Sequence, residues 1–139
     1  MIIDHVGIVV KSISEGMAHW ESFFGYRQAT EIVTNTRQRV HVVFMEKEHS
    51  IAVKLVAPVD DGSPVSVFAR KGGGLHHLCF RCSSIDQELD RLNSLGAHVL
   101  YPPAPGEAFA NENIAFVFCS MGLNIELIDT DKRANPISR

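Results

Sequence analysis

Hydrophobic and polar positions change rhythm several times along this chain, and the same succession of changes occurs twice. Residues 2–10, Ile2-Ile3-Asp4-His5-Val6-Gly7-Ile8-Val9-Val10, form an apolar run short enough for a strand, with a histidine near its head. After it the spacing becomes helical: Ile13, Met17, Trp20 and Phe24 recur on one face, Ser12 or Ser14 fits the N-cap, and Gly25 ends the segment. Period-two patterning then predicts strands over 26–34, 40–45 and 51–57. In the second of these, Val40, Val42 and Phe44 share one face, and His41 and Val43 the other. Pro58 stops the last strand, Asp60 to Pro64 reads as a loop, and 64–71 as a short helix.

Adding 72 to each position reproduces the pattern. His5 falls on His77, Ser12-Ile13 on Ser84-Ile85, and Met17 on Leu89. Val42 and Phe44 fall on Ile114 and Phe116; Ile51, Val53 and Leu55 fall on Leu123, Ile125 and Leu127. A constant offset held through a strand, a helix and two later strands predicts a duplicated βαβββ unit. The expected fold is α+β: two tandem modules, 1–71 and 72–130, within one domain spanning 1–139. Each module is a curved sheet with a helix on its convex side, and the two pair around a shared cavity. Pro102 to Gly106 reads as a loop, Gly106 to Asn111 as a lid or an ordinary loop, and 131–139 as a loose polar tail.

Composition narrows the classes. A length of 139 residues suits one domain with a real core. A net charge of −3 and the lack of a basic run give no nucleic-acid footprint. No apolar run approaches the roughly 20 residues of a membrane span. The chain enters a strand directly, without a signal-peptide pattern, so a cytoplasmic protein is expected. Cys79, Cys82 and Cys119 are an odd number in apolar contexts and read as reduced thiols; Cys79-x-x-Cys82 lacks a second pair.

Two stretches carry candidate chemistry. Gly72-Gly73-Gly74-Leu75-His76-His77 leads three glycines into a strand headed by paired histidines, whose side chains should point to opposite faces; His76 is taken as the outward one. Asn124-Ile125-Glu126-Leu127-Ile128 sets a carboxylate inside an apolar strand, where it needs a partner or a metal. The equivalent position 72 residues earlier is Lys54. Equivalent places thus hold His5, Lys54, His77 and Glu126. Two imidazoles and a carboxylate are a usable donor set for a divalent metal.

The stretches Ile3-Asp4-His5-Val6-Gly7-Ile8, Gly74-Leu75-His76-His77-Leu78, Ser83-Ser84-Ile85-Asp86 and Ile125-Glu126-Leu127-Ile128 resemble the vicinal-oxygen-chelate superfamily of glyoxalases, epimerases, extradiol dioxygenases and bleomycin-resistance proteins. Val56-Ala57-Pro58 with Asp60 to Ser63 and Val67-Phe68 looks most like the methylmalonyl-CoA epimerase branch. The resemblance implies a glyoxalase-like fold and a homodimer. It implies His5, His77 and Glu126 as ligands of a divalent metal (zinc, cobalt, nickel, manganese or iron). It also implies lyase or isomerase chemistry on a small molecule, such as an acyl thioester or a hemithioacetal. Two departures stand out. The fourth ligand of the family falls on Lys54, which either pairs with Glu126 or turns away to anchor substrate or move a proton. The basic carboxylate of the epimerase branch has His41 as its nearest equivalent. The alternative is a small-molecule binding protein with a degenerate metal site; an iron dioxygenase is a third, weaker fit.

Overall fold

Strand β1 (Ile2–Val9) lies at the centre of the molecule because it pairs on both edges. The structure, a computed structural model, describes residues 1–138. Beside β1 on one edge runs β5 (Ala52–Pro58), parallel; on the other runs β6 (Gly74–Arg81), antiparallel. Next to β5 comes β4 (Val40–Glu46), which also carries two short strands, β2 (Arg27–Gln28) and β3 (Val33–Asn35). Beyond β6 come β9 (Leu123–Ile128), β8 (Asn113–Cys119) and β7 (His98–Pro105). The result is one curved sheet in the order β2-β4-β5-β1-β6-β9-β8-β7. The β1–β6 ladder joins its two halves within a single chain.

Two helices cover the convex side. Helix α1 (Ile13–Phe24) starts at Ser12, whose hydroxyl accepts the Glu15 N–H at 3.4 Å, and closes on Gly25 in the left-handed region. Helix α3 (Ile85–Ser94) starts the same way, with Ser84 accepting the Gln87 N–H at 3.3 Å. Ile13, Met17 and Trp20 pack on Val43, Met45, Val53 and Leu55. Ile85, Leu89 and Leu92 pack on Ala115, Val117 and Leu127. The alternate residues of the same strands, including Val42, Phe44, Val56, Ile114 and Phe116, face inward to a third cluster on the concave side. Helix α2 (Ser66–Arg70) is a short connector between the halves.

Three segments differ from the sequence expectation. The strand expected over 26–34 is interrupted between β2 and β3. At Thr30 the side-chain hydroxyl, not a backbone carbonyl, takes the Phe44 N–H, and residues 30 and 31 pair with the C-terminal tail. The Pro-rich stretch continues β7 to Pro105. This is an edge strand with two register shifts, where prolines remove few ladder bonds. The tail is tied down: Glu31 N–H bonds to Asn135 O and Ile137 N–H to Ala29 O, both at 2.9 Å. Among the described residues no helix is long and apolar enough to cross a membrane.

Candidate functional site

Four neighbouring strands, β5-β1-β6-β9, each deliver one ionisable side chain to the same point. Lys54 comes from β5, His5 from β1, His77 from β6 and Glu126 from β9. Parallel pairing of β1 with β5, and of β6 with β9, sets Gly7 beside Lys54 and Cys79 beside Glu126. All four side chains are buried, His5 and Glu126 completely. Glu126 Oε1 lies 3.0 Å from His5 Nε2 and 3.2 Å from His77 Nε2, and the two Nε2 atoms are 3.4 Å apart. Lys54 Nζ donates to both Glu126 oxygens, at 3.0 and 3.1 Å. Gly7 makes the convergence possible. A Cβ there would lie 2.0 Å from Cε1 of His77, whose ring occupies the space over the glycine.

Each histidine is braced by the residue before it, through an irregularity in its strand. In the β1–β6 ladder Ile3 pairs with Phe80 and His5 with Cys79, which leaves Asp4 out of register. Gly7 pairs with His77 and Ile8 with Leu75, which leaves out His76. Such a bulge lets consecutive side chains turn to one side. Asp4 Oδ2 lies 2.7 Å from His5 Nδ1 and also takes Arg133 from the tail. His76 Nδ1 lies 2.8 Å from His77 Nδ1. Asp4 and His76 are themselves 72 residues apart. The outward placement expected for His76 is therefore wrong: strict alternation fails at a bulge, and His76 joins the site.

The electrostatics follow from burial and contact. Burial pushes the Glu126 carboxyl up, but the Lys54 charge and the hydrogen bonds from His5 and His77 outweigh it and hold it well below the ordinary range. Burial lowers His77 to about 4, against the opposing pull of Glu126, so its ring is neutral near pH 7. His76 is lowered by burial and by Lys54. A neutral His77 that donates from Nε2 to Glu126 accepts at Nδ1 from His76. That pattern assigns the unprotonated nitrogen of His76 to Nε2.

Above the four groups opens a cavity of about 400 Å³. Its walls are mainly apolar, with Val40, Val42, Val56, Phe109, Ile114 and Phe116; Lys54, His76 and His77 also line it, as do the amides Asn35, Gln38 and Asn124. Phe109 and Ala108 come from the 3-10 turn Glu107–Phe109. That turn is bonded to two other segments: Glu107 accepts the Thr36 N–H and hydroxyl at 2.7 Å each, and Ala108 O accepts the Ala134 N–H. His41 is not brought to the cavity. Strand alternation turns Val40 and Val42 inward, and His41 bonds instead to the Thr34 hydroxyl at 2.9 Å.

Comparison with known proteins gives the family. Residues 4–118 match the family model described as the glyoxalase/bleomycin resistance protein/dioxygenase superfamily. The chain belongs to this superfamily. Among its relatives is an uncharacterized protein of Bacillus subtilis, YqjC, 32% identical over 83% of this chain and 81% of that one. An ethylmalonyl-CoA/methylmalonyl-CoA epimerase of Cereibacter sphaeroides is 29% identical over 70% of this chain and 73% of its own length. A solved methylmalonyl-CoA epimerase from Mycobacterium tuberculosis superposes with a TM-score of 0.80 at 29% identity, covering 91% of this chain and 86% of that one.

For a member of this superfamily the question is whether the cluster fits a metal. His5, His77 and Glu126 form a group of donor atoms that could hold one. Their separations of 3.0, 3.2 and 3.4 Å suit an ion about 2.0–2.2 Å from each. The fourth group does not fit. The Lys54 ammonium lies across both oxygens of the carboxylate that such an ion would need. No buried side-chain nitrogen or oxygen among the described residues lacks a partner, so nothing in the cluster is left waiting for an ion. The set as it stands holds an ammonium and does not fit a divalent ion beside it.

Proposed function

We propose that this chain is a proton-transfer enzyme of the glyoxalase–epimerase type. It would act on a small carbonyl compound, with an acyl thioester first among the candidates. The observation that carries the reading is a buried, fully paired group of ionisable side chains, of which Lys54, His76 and His77 line a largely apolar cavity. Its relative from C. sphaeroides is named for two CoA thioesters, which suggests the substrate class.

Lys54 has three N–H donors, and Glu126 takes two of them. The third would meet the carbonyl oxygen of the substrate and support the negative charge that develops there as the neighbouring carbon loses its proton. His76 would take that proton on Nε2; it lines the cavity and is held neutral by burial. Delivery of a solvent proton to the opposite face of that carbon, with His76 giving its own proton up to solvent, would complete an epimerisation. Glu126, His5 and Asp4 would orient Lys54 and His77. His41 has no part in this reading, since it bonds to Thr34 outside the cavity.

The test is deuterium uptake. Wild-type protein is incubated in D₂O, with chelator, against methylmalonyl-CoA, other acyl-CoA thioesters and hemithioacetals. Uptake at the carbon next to the carbonyl, lost in His76→Asn, supports the reading. A second reading, binding without chemistry, draws on the closed Lys54–Glu126 pair and on apolar residues at Val40, Val42 and Phe44 on the cavity face of β4. Calorimetric binding of a thioester without any uptake would establish that reading instead.

A further inference from the structure

We infer that Lys54 takes the place of a metal ion in this chain, and that a divalent-metal site lies latent beneath it, released by a single substitution. The role given to the ammonium rests on the function proposed above; its occupancy of the site does not. Three observations carry the inference. The donor triangle of His5, His77 and Glu126 has the edges of a first-row metal site, yet both carboxylate oxygens are taken by Lys54. Both carboxylates of the cluster already have cationic partners: Lys54 pairs with Glu126, and Arg133 with Asp4. The aromatic surroundings also suit an organic cation, since Lys54 Nζ stands 5.1 Å from the ring centre of Phe109 and 6.0 Å from that of Phe44. A divalent ion entering here would meet an ammonium on the same carboxylate, in a buried setting where like charges repel strongly.

If the lysine is what excludes the ion, a side chain without charge should admit it. Lys54→Gln adds a neutral oxygen; Lys54→Met adds no charge and leaves the three donors. The measurement is cobalt(II) and zinc(II) uptake by chelator-stripped, untagged protein, followed by metal analysis and by the visible absorption of bound cobalt. The wild type is expected to retain less than about a tenth of an equivalent, and Lys54→Gln about one equivalent. The second substitution Glu126→Gln should abolish that uptake. Because Lys54→Gln leaves Glu126 buried without its cation, cobalt should also raise the melting temperature of the variant and leave that of the wild type unmoved.

Stoichiometric metal in the wild type, lost in Glu126→Gln, would overturn the inference. So would a folded Lys54→Gln and Lys54→Met that both refuse metal. If the variants fold poorly alone, refolding with cobalt present decides: recovery of fold with bound metal supports the inference, and failure to recover overturns it. None of these readouts needs a substrate. An inactive wild type would therefore count against the proposed function, and metal in the wild type against Lys54 as its replacement.

Discussion

Lys54 and Glu126 are buried within hydrogen-bond distance of each other, and removal of either leaves a charge in a place water does not reach. Glu126→Ala is expected to lower stability by about 3–5 kcal/mol. The double replacement Lys54→Met/Glu126→Leu should cost much less than the sum of the singles, because an apolar pair strands no charge. Urea unfolding of the two singles and the double gives the coupling; additive losses would refute a direct pair. His77 makes a second, separable statement. It stays neutral in the fold down to about 4, while in the unfolded chain it titrates near 6.5. Between those values the unfolded state binds the extra proton, so stability falls as pH drops from about 6.5 toward 4, by up to ~1.4 kcal/mol per pH unit. His76, also lowered, adds to the same fall. Asp4 and Glu126 are held below their ordinary values, so their contributions persist above those values and are lost only as pH falls through and below about 4.5. His77→Gln should flatten the slope between pH 6.5 and 5 and leave the steeper acid limb. An unchanged upper slope would mean that His77 is not the group responsible.

At the scale of strands and turns, the paired irregularities of the β1–β6 ladder decide what reaches the cavity. They were not legible beforehand. Alternation predicts opposite faces for His76 and His77, and a bulge is specified by cross-strand register, which no single stretch of sequence displays. A signal was present in Gly7, two residues after His5, and in the glycines before His76. Gly73, at φ +70°, carries its backbone so near β1 that a Cβ would lie 2.2 Å from Val9 O. Gly7→Ala tests the register: the added methyl must displace the His77 ring, which Glu126 and His76 hold in place. A loss of about 1–3 kcal/mol is expected, as for other overpacked sites, together with weakened ligand binding at the cavity. A crystal structure of the variant with His77 unmoved would refute the contact. Helix α1 and the strands β4 and β5, by contrast, were readable from period and caps, which depend on local residues alone, and α3, β8 and β9 from the 72-residue offset that repeats them. The same holds for His5, Lys54, His77 and Glu126, which a constant offset brought into correspondence. His41 was misread because its register on β4 was taken from an equivalence, although the alternation of Val40, Val42 and Phe44 already put it on the other face.

The two halves of the sheet meet along one ladder, and the C-terminal tail ties them a second time. Its polar composition suggested a loose end, because composition cannot reveal a partner about a hundred residues earlier in the chain. Arg133 closes on Asp4, which braces His5, and its guanidinium sits 4.2 Å from the ring centre of Phe44 and 5.2 Å from that of Phe109. Ala134 then bonds to the cavity wall at Ala108, and residues 135–137 pair with 29–31 across the gap between β2 and β3. The tail therefore joins the last strand of the second half to the first half, beside the ionisable cluster. A chain ending at Thr130 should lose about 2–3 kcal/mol, from the tail's backbone bonds and the Arg133–Asp4 pair, while Asp4 keeps His5. Arg133→Ala alone should lose part of that and keep the strap. The distinguishing readout is where the loss appears. Hydrogen exchange should rise at residues 29–31 and in the Glu107–Phe109 turn for the truncated chain, but not for Arg133→Ala. Equal exchange in the full-length and truncated proteins would mean that the strap contributes nothing to holding that wall of the cavity in place. The cluster would then depend on the β1–β6 ladder alone.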